Sequence, residues 1–396
     1  MITTELTDWS LRMPRFVRFG GGVVDDLAEH LALIDQGEVC LMTDEGVVGA
    51  GLTAPGEKIV TVAGFALDVI EGVQAQPSIA GVQGAVDRVR QRGSVAIVAV
   101  GGGSVVDAAK ITALLGSNDG SVSDVVEWFG RGFVNERPMR PSLPLFTVPT
   151  MVSGADVVSA AVVTDPGAHT KFACWSLHMM PRATFFDPAN TTTAPKDHLL
   201  DAALDSFTHA LEGLTARTAS PITRNLAIDA AAQIFRSLPV LYADATDRRA
   251  REDLCLGCLE AGLVVGNTRA AAIHGLSYPV SSTFPISHGR CNILLAPTVV
   301  RYNGVAAEQE YADLADALGL VRGVEAPAEA LATAITKLTW GLGLPATLAE
   351  VGVTSQHIPE LVIAAQRNRW FFDEVNPRPV PEESVGQLYA EALAGV

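Results

Sequence analysis

Leu199–Gly213 of this 396-residue chain reads LLDAALDSFTHALEG and sets an aspartate and a histidine four residues apart, at Asp205 and His209. On a helix that spacing puts both side chains on one face, so a carboxylate and an imidazole project together, with Asp201 one turn earlier on the same side. Ile273–Asn292 reads IHGLSYPVSSTFPISHGRCN and adds His274 and His288, each followed by a glycine that keeps the backbone beside the ring uncrowded. Three imidazoles and one carboxylate are a ligand set for Fe²⁺ or Zn²⁺. A remaining coordination position would polarise a carbonyl oxygen or stabilise an alkoxide. Any one of these histidines also reads as a hydrogen-bonded structural residue, and an Asp–His pair at i, i+4 also stabilises a plain helix. Three of the eight histidines fall in these two segments, and that concentration favours the metal.

A second constellation precedes them. Ser94–Lys110 reads SVAIVAVGGGSVVDAAK: a buried-strand run, three glycines, then a helical pattern. Glycines let the backbone turn tightly and approach a ligand without a Cβ in the way. Ser104 is placed to cap the next helix, and Asp107 three residues on completes a capping-box spacing. The N–H groups at such a helix start suit a pyrophosphate, although an ordinary strand-to-helix turn would also carry glycine. Asp44 closes the earlier run CLMTD. An acid at a strand end can accept from a ribose 2′-hydroxyl and repel a 2′-phosphate, which favours NAD over NADP; a turn aspartate capping the next segment has the same spacing. The CLGC pair, Cys255 and Cys258, lies in a helical apolar pattern and reads as core.

The elements that must position these groups change character along the chain. Strand signals at 16–19, 39–43, 94–100, 144–148 and 160–164 alternate with glycine turns and helical patterns, such as Val23 to Ala32 and Val105 to Leu115. Such alternation predicts a mostly parallel sheet covered by helices. Beyond Asp187-Pro188 the pattern is helical, as in Ser220–Leu238 and Ala306–Leu318, with Pro195, Pro221 and Pro345 near helix starts. We therefore expect an α/β Rossmann-like dinucleotide-binding domain over residues 1–189 and an all-α metal-binding domain over 190–396, with the active site in the cleft between them. Hydrophobic residues make up 48% of the chain and charged residues 18%, enough for a sizeable core. A net charge of −16 repels phosphate backbones and argues against nucleic acid as a partner. Five cysteines without framework spacing read as reduced thiols, Met1 to Arg15 lacks the apolar core of a leader, and no apolar run reaches membrane-spanning length. The expectation is a cytoplasmic protein.

These blocks resemble the iron-dependent (group III) alcohol dehydrogenase family, whose fold is dehydroquinate synthase-like. Pro14–Gly20 is similar to its opening strand and turn, GGGSVVDAAK at 101–110 to its signature G-G-G-S-x-x-D-x-x-K, and DSFTHALEG at 205–213 to its D-A-L-T-H-A-I-E-G block. His274-Gly275 and His288-Gly289, fourteen residues apart, match its last two ligands. The resemblance implies a metal held by Asp205, His209, His274 and His288, and NAD(H) along Gly102, Gly103, Ser104 and Asp107, with Asp44 where NAD-preferring members carry an aspartate. It implies Lys171, in HTKFAC, near the nicotinamide and the metal. It also implies a homodimer or larger homo-oligomer.

Three departures bear on function. The family's P-T-T-A-G-T-G-S-E-V-T loop appears as PTMVSGADVVS, 149–159, and reads one residue shorter ahead of Gly154, so contacts on the nicotinamide side, Thr150 included, must differ. Tyr278 stands where some relatives carry a proton-relaying histidine; a phenol, with a reference pKa near 10, responds less near neutral pH. Arg269 stands five residues before His274, where relatives carry a small residue. A guanidinium beside a metal pocket is costly unless it meets an acid, either a carboxylate, phosphonate or sulfonate on the substrate or an internal Asp or Glu. Arg367, Arg369 and Arg378 could also edge the cleft. The function expected is an NAD(H)-linked alcohol dehydrogenase or aldehyde reductase, with Fe²⁺ or Zn²⁺, acting on a small aldehyde or alcohol, anionic if Arg269 meets the substrate. The competing readings are a maleylacetate reductase-like enzyme, which usually lacks the aspartate seen as Asp107, and a catalytically silent metal- and nucleotide-binding protein.

Overall fold

The computed structural model describes residues 8–129, 139–167, 170–320 and 325–395. The first seven residues, part of the stretch read for a leader, and His169 beside Lys171 lie outside them. Arg12–Pro195 forms one compact unit, and Lys196–Val396, with residues from the start of the chain, forms the other.

The first unit carries strands β1 (Phe16–Phe19), β2 (Glu38–Met42), β3 (Ala66–Ile70), β4 (Ala96–Gly101), β5 (Leu145–Pro149), β6 (Ala160–Asp165), β7 (Thr170–Trp175) and β8 (Ala183–Phe186). Between them run helices α1 (Leu27–Leu31), α2 (Glu45–Gly49), α3 (Ala54–Val62), α4 (Ile79–Arg92), α5 (Gly103–Gly116) and α6 (Val122–Phe129). Six strands form a parallel sheet in the order β1-β8-β5-β4-β2-β3. Alternation along the strands divides the core into two faces. Cys40, Met42, Ile97 and Ala99 pack with Val86, Val106 and Leu114, while Val39, Leu41, Val98 and Val100 pack with Leu27, Leu31 and Val60. Burial on both faces explains why β4 reads as an uninterrupted apolar run and why it is the easiest strand to find in the sequence.

The expected strands are present to within about two residues, but the last leaves the sheet: β6 pairs antiparallel with β7 in a separate hairpin. β3 and β8 extend the sheet without a clear strand signal. β3 has a buried acid at its centre, Asp68, paired with Arg88 of α4 (Nη2–Oδ1 2.6 Å), and β8 is four residues long. The helix expected from Val23 begins as a 3₁₀ turn, Val23–Asp26, before α1.

The second unit is helical among its described residues: α7 (Lys196–Thr215), α8 (Pro221–Ala243), α9 (Arg248–Thr268), α10 (Ala272–Thr283), α11 (His288–Asn303), α12 (Glu308–Leu318), α13 (Pro327–Gly341), α14 (Ile358–Ala365) and α15 (Glu382–Ala394), with a π-helical turn at Phe371–Val375. Pro221 occupies the first turn of α8 behind a Ser220–Thr223 capping box. Pro345 starts no α-helix; a 3₁₀ turn, Ala349–Val351, follows it. α7 packs on α8, α9 and α11, and α10 packs on α11, which brings both histidine segments to α7. The crossing of α7 and α11 is tight because Gly289 presents no side chain: a Cβ there would lie 1.9 Å from the Asp201 carbonyl oxygen. Cys255 and Cys258 are buried thiols on α9, as core residues should be. No helix among the described residues is long and apolar enough to cross a membrane.

Candidate metal centre and nucleotide turn

Three helices of the second unit bring their acid and imidazoles to one point. Asp205, His209 and Glu212 recur at i, i+4 and i+7 on α7 and so share one face of it, with Glu212 buried and the other two partly so. His274 sits in the first turn of α10, almost fully buried, and His288 opens α11. Asp205 Oδ1 lies 3.2 Å from His274 Nε2, 3.8 Å from His209 Nε2 and 3.8 Å from His288 Nε2. Asp205, His209 and His274 alone form a group whose ligand atoms fit within 4.8 Å of one another, and His288 joins from the Asp205 side. The His209 and His274 rings stack 4.7 Å apart, with His288 5.2 Å from His274. Burial alone would raise the Asp205 carboxyl, but the His209, His274 and His288 imidazoles outweigh it and hold the acid well below the usual carboxylate range.

Two further polar residues surround this set. Glu212, buried, places Oε2 2.5 Å from His274 Nδ1, while its Oε1 accepts from the backbone N–H of Ile273 at 2.6 Å and of His274 at 3.3 Å. Asn292, one turn into α11 and buried, donates from Nδ2 to Asp205 Oδ1 at 2.8 Å and lies 3.2 Å from both His274 Nε2 and His288 Nε2. Its own Oδ1 has no protein partner. Both residues stand inside the motifs read above, three residues after His209 and four after His288. Helical spacing was the available signal, but nothing local names their partners.

Aromatic rings line the same region. Tyr278 stacks on His288 at 5.0 Å and meets Phe371 edge-on at 5.5 Å, and Phe371 stacks on Trp370. Partial burial of the Tyr278 hydroxyl, on a residue still 39% exposed, and then the Asp205 and Glu212 carboxylates push its pKa above the ordinary phenol value. Gly275 and Gly289 do more than leave room beside the rings. A Cβ at Gly275 would lie 2.6 Å from the Phe372 ring, and one at Gly289 would strike the α7 backbone. Asp201 lies outside the cluster: it and Asp197 accept from Arg290 of α11 at 2.6 and 2.7 Å.

Arg269 ends α9 with φ 66° and ψ 168°, the single non-glycine residue with positive φ among the described residues. This backbone region is almost confined to glycine and costs roughly 1–3 kcal/mol. Its Nη1 lies 3.5 Å from Glu374 Oε2, and its guanidinium sits 5.8 Å from the Trp370 ring. Arg369 pairs with Asp373, Arg378 stacks on Tyr302 at 4.1 Å, and Arg367 is exposed. Arg369 and Arg378 thus brace the C-terminal segment.

In the first unit the glycine turn joins β4 to α5. The capping box expected of Ser104 and Asp107 is absent, because α5 begins two residues earlier than expected, at Gly103, behind Gly102. Ser104 Oγ instead donates to the Ala75 carbonyl at 2.5 Å. No side chain caps α5, so its leading N–H groups are not taken by a cap. The glycines suit the close approach of a neighbouring loop: Cβ atoms at Gly102 and Gly103 would lie 3.3 Å from Met151 Cβ and 3.1 Å from Ser153, tighter than ordinary contact. Thr150, buried, donates its N–H to the Gly101 carbonyl and ties that loop to the turn.

Asp107 turns toward the hairpin, where its Oδ2 accepts from Val162 N at 3.0 Å. The fully buried Lys110 donates to the carbonyls of Ala155 at 2.6 Å and Ala160 at 2.5 Å. Asp44 is the N-cap of α2, its Oδ1 accepting from Val47 N at 3.0 Å. Lys171 is exposed on β7, paired across the hairpin with Thr164.

Known proteins match this arrangement along the whole chain. A family model described as iron-containing alcohol dehydrogenase matches residues 14–188, and the C-terminal model of the Fe-containing alcohol dehydrogenase family matches 199–393. A lactaldehyde reductase from Escherichia coli (strain K12) is 30% identical over 382 residues, covering 94% of this chain and 97% of the relative. An NAD-dependent methanol dehydrogenase from Bacillus methanolicus is 29% identical, again covering 94% and 97%. Among solved structures, a 1,3-propanediol oxidoreductase superposes with a TM-score of 0.89 at 25% identity, covering 98% of this chain and all (100%) of that one.

Proposed function

The chain belongs to the iron-containing alcohol dehydrogenase family, and from that premise we propose that it is a metal-dependent, NAD(H)-linked enzyme interconverting a small aldehyde and its alcohol. The observation that carries the reading is the approach of three imidazole nitrogens to one carboxylate oxygen, at 3.2–3.8 Å. Ligands about 2.1 Å from a tetrahedral ion stand about 3.4 Å from one another, so the donor set has the size and chemistry of a cation site. Asp205, His209, His274 and His288 would hold Fe²⁺, and the same donors suit Zn²⁺. A cation bound there supplies a Lewis acid for a carbonyl oxygen.

The names of two relatives, a lactaldehyde reductase and an NAD-dependent methanol dehydrogenase, support small substrates and NAD. NAD(H) supplies the hydride. Gly102, Gly103, Ser104 and Thr150 would cradle its pyrophosphate at the uncapped start of α5. Asp107 would act behind the turn, by holding β6 to α5. Asp44 uses one carboxylate oxygen as a helix cap and keeps the other to accept from a ribose 2′-hydroxyl. Lys171 would offer positive charge to the cofactor, and the Tyr278 hydroxyl would hydrogen-bond the water that carries the proton. The test is NADH oxidation by the iron-loaded protein against a panel of short aldehydes. Turnover that disappears with a chelator is expected; NADH binding without turnover on any aldehyde or alcohol would establish the silent nucleotide-binding reading instead.

The substrate class is carried by Arg269. Its contact with Glu374 is long, and Glu374 is 65% exposed, so this pair is worth little in water. A residue kept in a strained backbone conformation is a mark of function. Arg269 would then receive the carboxylate, phosphonate or sulfonate of an anionic aldehyde. Arg269→Ala keeps the Cβ and hence the backbone strain. Its expected effect is a KM raised about 10- to 100-fold for anionic aldehydes, the worth of a charged hydrogen bond, with neutral aldehydes unaffected. Equal small effects on both classes would leave Arg269 a structural residue.

A further inference from the structure

We propose that Glu212 is a positioning residue for the metal centre, fixing the ring and tautomer of His274 so that Nε2 faces the ion; the inference rests on the ligand set proposed above. Glu212 is 4% exposed, and among the described residues His274 is the one basic side chain paired with it. A buried carboxylate is expensive unless its acceptors are filled, and here they are filled by one ligand and its own helix start. Oε2 takes His274 Nδ1 at 2.5 Å, and Oε1 takes the N–H groups of Ile273 and His274.

A carboxylate can only accept, so Nδ1 must carry the hydrogen. Nε2 is thereby left as the lone-pair donor, on the side where Asp205 Oδ1 lies 3.2 Å away. The two backbone bonds prevent a compensating slide of α10: they satisfy N–H groups in its first turn, which no side chain of its own caps. Charge and geometry act together, since a carboxylate behind an imidazole makes its far nitrogen a stronger donor to a cation. Glu212 occupies the same face of α7 as Asp205 and His209, so a single helix supplies two ligands and the support of a third. Asn292 completes the surround by donating to Asp205 Oδ1.

The test uses Co²⁺ as probe, bound to the full-length metal-free protein, with affinity read by chelator competition and coordination by the visible absorption bands. Glu212→Gln keeps acceptors for the backbone N–H groups but removes the charge. The expected result is Co²⁺ affinity lower by about 10- to 100-fold, with altered bands, while the circular dichroism stays that of wild type. Glu212→Gln with wild-type affinity and bands, losing thermal stability alone, would overturn the proposal and leave Glu212 a structural residue. A wild-type protein that takes up no Co²⁺ would instead overturn the ligand set itself. A second measurement needs no variant: in the ¹⁵N-histidine-labelled Zn²⁺ protein His274 is expected to carry its proton on Nδ1, and a proton on Nε2 would contradict the proposal.

Discussion

Asp205→Ala is expected to lose its bound metal and about 10³-fold in kcat with aldehyde and NADH, while Asp201→Ala, one turn away on the same helix, keeps both. The contrast follows from where the two acids point. Asp205 Oδ1 is the atom that all three imidazole nitrogens approach, whereas Asp201 is occupied by Arg290 of α11. Losing a Lewis acid worth several kcal/mol corresponds to roughly three decades in rate. Asp201→Ala removes a partly exposed ion pair and should show as a modest loss of stability, since such pairs are worth little. Steady-state kinetics with metal analysis of both variants checks this; equal losses in the two would mean that the acids act through the fold of α7 rather than through a cation.

Gly289→Ala is expected to be the most damaging single methyl in the second unit. The added Cβ would lie 1.9 Å from the Asp201 carbonyl oxygen and 3.2 Å from the Asp205 nitrogen. These are backbone atoms of α7 and cannot swing aside as a flexible side chain would. One helix must back away, and both carry proposed ligands, His288 beside the glycine and Asp205 opposite it. Overpacking of this kind costs about 3 kcal/mol or more, which lowers the Tm of a unit of this size by roughly 6–12 °C. Metal should be lost with it, because His288 is displaced from Asp205. Gly341→Ala near the end of α13, where a Cβ meets nothing within 4 Å, provides the control and should leave Tm within a degree or two. Scanning calorimetry with metal analysis decides; a Gly289→Ala protein as stable and as metal-rich as wild type would show that the helices do not approach as closely as described.

The parts of this account legible in the sequence are those written in short-range patterns. β4 and its glycine turn announce themselves because a strand buried on both faces must be apolar throughout. Asp205 and His209 could be paired because a helix repeats within four residues, and the structure does bring His274 and His288 to them. What could not be read depends on distant partners. Glu212 meets a histidine 62 residues away, and Arg269 meets an acid over 100 residues on. β3 was hidden by Asp68, whose burial is compensated by Arg88 from another element. The capping box at Ser104 failed for a smaller reason: α5 begins at Gly103, and a shift of two residues gave Ser104 and Asp107 other partners.

The most direct measurement is the position of the metal in crystals of the protein loaded anaerobically with Fe²⁺, located by anomalous scattering at the iron edge. The account predicts one peak about 2.0–2.2 Å from Asp205 Oδ1 and from the Nε2 atoms of His209, His274 and His288. A peak bound by other side chains, or four ordered side chains with no ion among them, would contradict it.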